Sequence, residues 1–64
     1  MWAAFLQTPN RYIAETWRDL LHAEGIAVRL VPQAGADPHD ALAPHTLLVP
    51  DSKTHVAREI LRKI

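Results

Sequence analysis

The chain has 64 residues, seven basic and seven acidic side chains, no cysteine and a hydrophobic content of 48%. This length excludes two ordinary domains, and the lack of cysteine excludes disulfides and thiolate zinc sites. The balanced charge lacks the basic excess of general nucleic-acid or anionic-membrane binders, so we expect neither partner. A domain of this size buries only about 60% of its unfolded surface, so we expect docking onto a second copy to raise its stability.

No stretch approaches the roughly 20 apolar residues of a membrane span, and no signal-peptide pattern is present. These two observations make the cytoplasm the expected location.

The first predicted elements are a short apolar strand over residues 1–6 and an amphipathic helix over residues 9–24. Thr8 is the predicted N-cap, and Pro9 then occupies the first helical position, where its missing N–H costs nothing. Apolar residues recur along the helix with helical spacing. Gly25 is predicted to end it, because glycine enters the left-handed cap conformation without steric cost.

The second half of the chain predicts two more strands and a helix. Residues 26–31 alternate apolar and polar side chains as a strand does. Residues 32–44 contain glycine, proline and several alanines, which predicts an irregular loop of functional or mobile character. Residues 45–49 predict the third strand, and Asp51 is the predicted N-cap of a helix over residues 52–63.

These elements predict a single α+β domain over residues 1–64 with a truncated ferredoxin-like β-α-β-β-α fold. A strand–helix–strand unit leaves its two strands parallel, and the third strand fits between them as an antiparallel neighbour, in sheet order 1-3-2. Both helices then cover one sheet face and leave the other bare, and the edge of the first strand stays open. We expect the bare face to hold some of Ala3, Phe5, Ala27, Val31, Leu47 and Val49. The candidate interface residues are Trp2, Ala3, Phe5, Tyr12, Leu47 and Val49.

Four pieces of the chain carry a resemblance to a known family. They are the opening strand into TPNRYIAETW (8–17), the helix-to-strand turn LLHAEGIAVRL (20–30), the variable loop, and LLVPDSKTHVAREIL (47–61). In these stretches the chain resembles short bacterial domains described as prokaryotic signal-transducing proteins, which have a PII-like, truncated ferredoxin fold. The resemblance covers almost the whole chain and implies a role in signal transduction. It implies no catalytic residues, and the chain has no glycine-rich phosphate loop matching the nucleotide site of larger PII proteins, so we expect no cofactor.

The stretch richest in chemical groups lies in and after the predicted loop. His39, Asp40 and His45 are candidate metal ligands, because imidazole and carboxylate groups suit Zn²⁺ or Ni²⁺. The alternative is a polar loop in which Asp37 begins a turn and Asp40 caps another that ends near Ala43.

Some similar short chains carry the label glutamate decarboxylase, an activity that requires pyridoxal phosphate. Such an enzyme needs a Schiff-base lysine and a phosphate cup inside a large fold. Only Lys53 and Lys63 are available, and both fall on the polar side of a terminal helix. We therefore expect a non-enzymatic regulatory or adaptor domain that acts through protein contacts, one candidate partner being a second copy. The alternative function is a small-ligand sensor that uses loop 32–44 to bind an anion, nucleotide or metal.

Overall fold

A computed structural model describes residues 1–37 and 39–63 of the chain; Pro38, part of the predicted loop, and Ile64 lie outside the described residues. The elements, in chain order, are strand β1 (Trp2–Thr8), helix α1 (Arg11–Ala23), strand β2 (Arg29–Pro32), strand β3 (His45–Pro50), a 3-10 turn (Asp51–Lys53) and helix α2 (Thr54–Arg62).

The three strands form one sheet in the order β1-β3-β2. β3 runs antiparallel to both of its neighbours, so β1 and β2 are parallel to each other. The predicted mixed α and β architecture and the predicted strand order are confirmed. Within the described residues, neither helix has the length and continuous apolar sequence needed to cross a bilayer.

The hydrophobic core lies between one face of the sheet and the two helices. Ala14 and Leu21 of α1, Ala57 of α2, and Leu47 and Val49 of β3 are all fully buried in one cluster. Both helices therefore pack on the sheet face that carries the buried β3 residues. Trp17, on the same stripe of α1, is half-buried against this cluster.

The placement of Leu47 and Val49 on the bare face is wrong, because both side chains lie beneath the helices with no exposed surface. Directly opposed residues in a sheet share a face, and Ala3 pairs with Val49, so Ala3 also lies on the helix side. Phe5 is half-buried against the core and belongs to the same side.

A bulge in β1 breaks the simple alternation predicted for the first strand. The register with β3 shifts between Ala4, which pairs with Leu48, and Leu6, which pairs with Leu47. Phe5 is the extra residue, so Leu6 lies on the helix side although Ala4 does not. A bulge has this effect because it adds one residue to a pattern whose period is two.

α1 begins at a different cap from the predicted one. The side-chain Oδ1 of Asn10, not the hydroxyl of Thr8, accepts the backbone N–H of Ile13 at 2.9 Å. Thr8 is instead the last residue of β1, where its buried hydroxyl lies 2.9 Å from the carbonyl oxygen of His45. The predicted start of the helix at residue 9 is therefore wrong.

The predicted end of α1 at Gly25 is confirmed. Gly25 has φ +84°, and its N–H donates to the carbonyl of His22 at 2.9 Å, while the N–H of Ile26 donates to Leu21 at 3.0 Å. This pair of bonds is a Schellman motif. The backbone donor of Ile26 is thus used by the helix, and β2 begins at Arg29 rather than at the predicted residue 26.

The predicted N-cap of the last helix is wrong. Asp51 begins a 3-10 turn, and its side chain caps neither that turn nor α2. Its backbone N–H donates to the carbonyl of Met1 at 2.8 Å, and its carbonyl accepts the hydroxyl of Thr54 at 3.0 Å. The turn thus ties the chain's first residue to the end of β3.

Candidate interaction surface

The sheet face opposite the helices has no helix packed on it. We call it the bare face and define it from the strand register, because opposed residues share a face. Its residues are Trp2, Ala4, Gln7, Arg29, Val31, Thr46, Leu48 and Pro50.

Two large apolar side chains remain exposed on the bare face. Trp2 keeps 40% of its surface exposed and Val31 keeps 37%. Leu48 is half-buried even though no helix covers it, because it lies on the central strand between Ala4 and Arg29. The face therefore presents an apolar centre flanked by one aromatic and one basic side chain.

Trp2 and Arg29 form a cation–π contact across the sheet, with the guanidinium carbon 5.6 Å from the centre of the indole ring. Since β3 separates their strands, the two side chains meet above the central strand, near Pro50 and Leu48. A contact of this kind contributes about 0.5–1 kcal/mol at an exposed site. It also holds the indole ring in a defined position on the surface.

Arg29 is the one charged residue on the bare face, and within the part of the chain that the structure describes it forms no ion pair. The ion pairs of the described residues lie along the two helices. They join Arg11 to Glu15, Arg18 to Glu15 and Asp19, and Arg62 to Glu59. The bare face therefore carries one cation whose only described side-chain partner is an aromatic ring.

The predicted interface residues are divided among three places. Trp2 lies on the bare face, and Tyr12 is exposed on α1, with 59% of its surface accessible. The other four, Ala3, Phe5, Leu47 and Val49, lie on the helix side of the sheet. Leu48 and Arg29 also lie on the bare face but are not among the predicted interface residues. Strand alternation with Val31 could have placed Arg29 there, whereas Leu48 required the pairing register.

The three candidate metal ligands do not come together. Asp40 Oδ1 accepts the backbone N–H of Leu42 at 2.9 Å, which is the turn that the polar-loop alternative predicts. His45 is buried at the start of β3, and its Nδ1 lies 2.7 Å from the carbonyl oxygen of Ala43. A carbonyl oxygen only accepts, so this ring nitrogen carries the hydrogen. His39 is exposed, and residues 1–37 and 39–63 contain no group of three or more such side chains that could hold a metal.

The described residues of the predicted loop are joined by hydrogen bonds rather than being structureless. Asp37 Oδ1 accepts the N–H of His39 at 2.9 Å, and the N–H of Ala43 donates to the carbonyl of Asp40 at 3.1 Å. The N–H of Gln33 donates across the base of the loop to Pro44 at 2.9 Å. The described part of the chain encloses no pocket at this loop or elsewhere.

The loop also occupies the start of α1. The backbone N–H of Arg11 donates to the carbonyl of Ala41 at 2.9 Å, and Asn10 Oδ1 accepts a hydrogen bond from the N–H of Ile13. Two of the N–H groups that a helix start offers to an anion are thus already used. Arg11 Nε is buried without a hydrogen-bond partner among the described residues, and Glu15 Oε1 is 3.8 Å away.

Comparison with known proteins provides no relative on which to base a function. No protein-family model, no curated protein and no solved structure matches the chain. The bare face is therefore the feature of the described residues from which a function has to be argued.

Proposed function

We propose that this protein is a small non-enzymatic regulatory or adaptor domain that binds a protein partner through its bare face. The observation that carries the proposal is the uncovered apolar strip of Trp2, Leu48 and Val31. Apolar side chains on a sheet face that lacks a covering layer are typical of an association surface. Tryptophan is among the residues that most often contribute the largest share of binding energy in protein interfaces.

The charge on the bare face defines the chemistry of the partner. A partner that covered the face would remove Arg29 from water, and a buried charge without a counter-ion is strongly destabilising. A second bare face would supply another arginine and no acid. We therefore propose that the partner carries a carboxylate that pairs with Arg29 beside an apolar patch that covers Trp2.

We further propose that the fold is a PII-like, truncated ferredoxin fold and that the domain belongs to signal transduction. The element order, the sheet order β1-β3-β2 and the common side of the two helices are what the resemblance of the sequence to that family leads one to expect. A fold does not by itself define a function, so the partner surface remains the part of the proposal to be tested.

The test is site-specific photo-crosslinking in the native host. The photoreactive residue p-benzoylphenylalanine is placed at Val31, on the bare face, and in a matched control at Arg58, which is exposed on α2. We expect a discrete protein adduct from position 31 that disappears with Arg29→Glu, and no such adduct from position 58. Adducts that form equally from both positions, or that do not depend on Arg29, would contradict the proposal.

A further inference from the structure

The two edges of the sheet differ in how well they are protected from pairing with another strand. Natural edge strands are kept from pairing by shortness, charged side chains and proline. β2 has all three, since it spans only Arg29–Pro32 and has arginine at one end and proline at the other. β1 spans Trp2–Thr8 and contains neither a charged residue nor a proline. The outer edge of β1 is therefore the one open to a new strand.

The composition of β1 suits a second copy of the same strand. In a symmetric pair every residue of the interface meets the same surface on the other subunit, so any charge near the axis faces its own copy. Like charges placed opposite one another destabilise a strand pair. The seven residues of β1 carry no charge, and the whole chain has a formal net charge of zero, so neither effect opposes self-pairing.

The bulge at Phe5 determines which register is allowed. Ala4 and Gln7 lie on the bare face, whereas Phe5 and Leu6 are consecutive residues on the helix side. An antiparallel pair that keeps the two bare faces on one side must match these sets. It does so when Ala4 lies opposite Gln7 of the second copy and Phe5 lies opposite Leu6 of the second copy. The bulge, which elsewhere discourages edge pairing, then lies at the twofold axis.

We propose that two copies of this chain join through antiparallel pairing of their β1 edges in this register. The pair unites two three-stranded sheets into one sheet of six strands. Its twofold axis is perpendicular to the sheet, so the two bare faces lie side by side and form one extended surface. This inference rests on the proposed function only for the use of that surface. The edge contact itself is made by backbone groups of β1 and does not require a partner on the bare face.

The test measures the mass of the full chain by light scattering and sedimentation equilibrium at protein concentrations up to about 1 mM, the range in which even weak pairing is detected. We expect a dimer for the wild type. The double variant Ala4→Lys, Gln7→Lys places ammonium groups opposite each other on both sides of the twofold axis, and we expect it to weaken the dimer by about tenfold or more. Val31→Lys adds a positive charge beside Arg29 on the same face at the opposite edge, and we expect it to leave the dimer unchanged.

Charge rescue and hydrogen exchange make the test independent of one variant's folding. An equimolar mixture of the double lysine variant with Ala4→Glu, Gln7→Glu chains should restore the dimer, and β1 amide exchange in the wild type should slow as concentration rises. A wild-type monomer at all concentrations would overturn the inference and leave photo-crosslinking at Val31 unaffected. A dimer that Val31→Lys dissociates as strongly as the double lysine variant would show that the face, not the edge, pairs with itself, and would contradict the inference too.

Discussion

Arg29 and Trp2 come from the two outer strands of the sheet, yet their side chains meet above the central strand, with the guanidinium carbon 5.6 Å from the indole centre. We expect a double-mutant cycle with Trp2→Ala and Arg29→Ala to give a coupling of about 0.5–1 kcal/mol in the free energy of unfolding. Urea denaturation measures this coupling. A cycle with Trp2→Ala and Arg58→Ala is the control, since these residues lie on different layers, and an equal coupling there would contradict the contact.

Two neighbouring leucines test the assignment of the sheet faces. Leu47 is fully buried beneath the helices, whereas Leu48 is half-buried on the bare face. We expect Leu47→Ala to lower the free energy of unfolding by about 2–5 kcal/mol, because it removes transfer energy and leaves a cavity. Leu48→Ala should cost less than half as much. Chemical denaturation of both variants compares them, and an equal or reversed order would show that the faces are wrongly assigned.

Substitution of Asn10 tests the finding that this residue, and not Thr8, caps the start of α1. We expect Asn10→Ala to lower the free energy of unfolding by about 0.5–2 kcal/mol, because the N–H of Ile13 loses its side-chain acceptor. Asn10→Asp keeps an acceptor of the same shape and adds a negative charge at the positive end of the helix, so it should be neutral or stabilising. Thermal unfolding followed by circular dichroism measures both variants. A full-sized loss in Asn10→Asp would argue against the cap.

Substitution of Gly25 tests whether the end of the same helix requires a backbone with positive φ. Its φ is +84°, and a Cβ added there would meet no atom within 4 Å, so a substitution is opposed only by the backbone conformation. We expect Gly25→Ala to cost about 1 kcal/mol. A chemically synthesised chain with D-alanine at position 25 should be at least as stable as the wild type, because D-residues favour positive φ. Equal destabilisation by both enantiomers would contradict this explanation.

The order of the elements was predictable because their boundaries carry strong local signals. Gly25 ends a helix in most contexts, and Pro32 and Pro50 end strands, so five of the elements could be placed before any contact was known. The sheet order then followed from chain connectivity alone. These features are local or topological, and neither depends on side-chain packing.

The identity of the bare face was not predictable, because both faces of β3 carry a leucine and a further apolar residue. Leu47 and Leu48 are both leucines but lie on opposite faces, and only their pairing with β1 and β2 determines which of them packs against the helices. The bulge at Phe5 adds a second ambiguity, since an extra residue in one strand leaves no mark on its hydrophobic pattern. The cap was missed for a similar reason, because Thr8 and Asn10 are both good N-cap residues and the strand pairing of Thr8 decides between them.

The affinity of the photo-captured partner for wild-type and variant domains tests the central claim most directly. Arg29→Glu reverses the one charge on the bare face, whereas Arg58→Glu makes the same change on the exposed surface of α2. Isothermal titration calorimetry should show that Arg29→Glu weakens binding by about tenfold or more, because it places a second carboxylate against that of the partner. Arg58→Glu should have little effect on the affinity. Equal losses in the two variants, or full affinity in Arg29→Glu, would contradict the account.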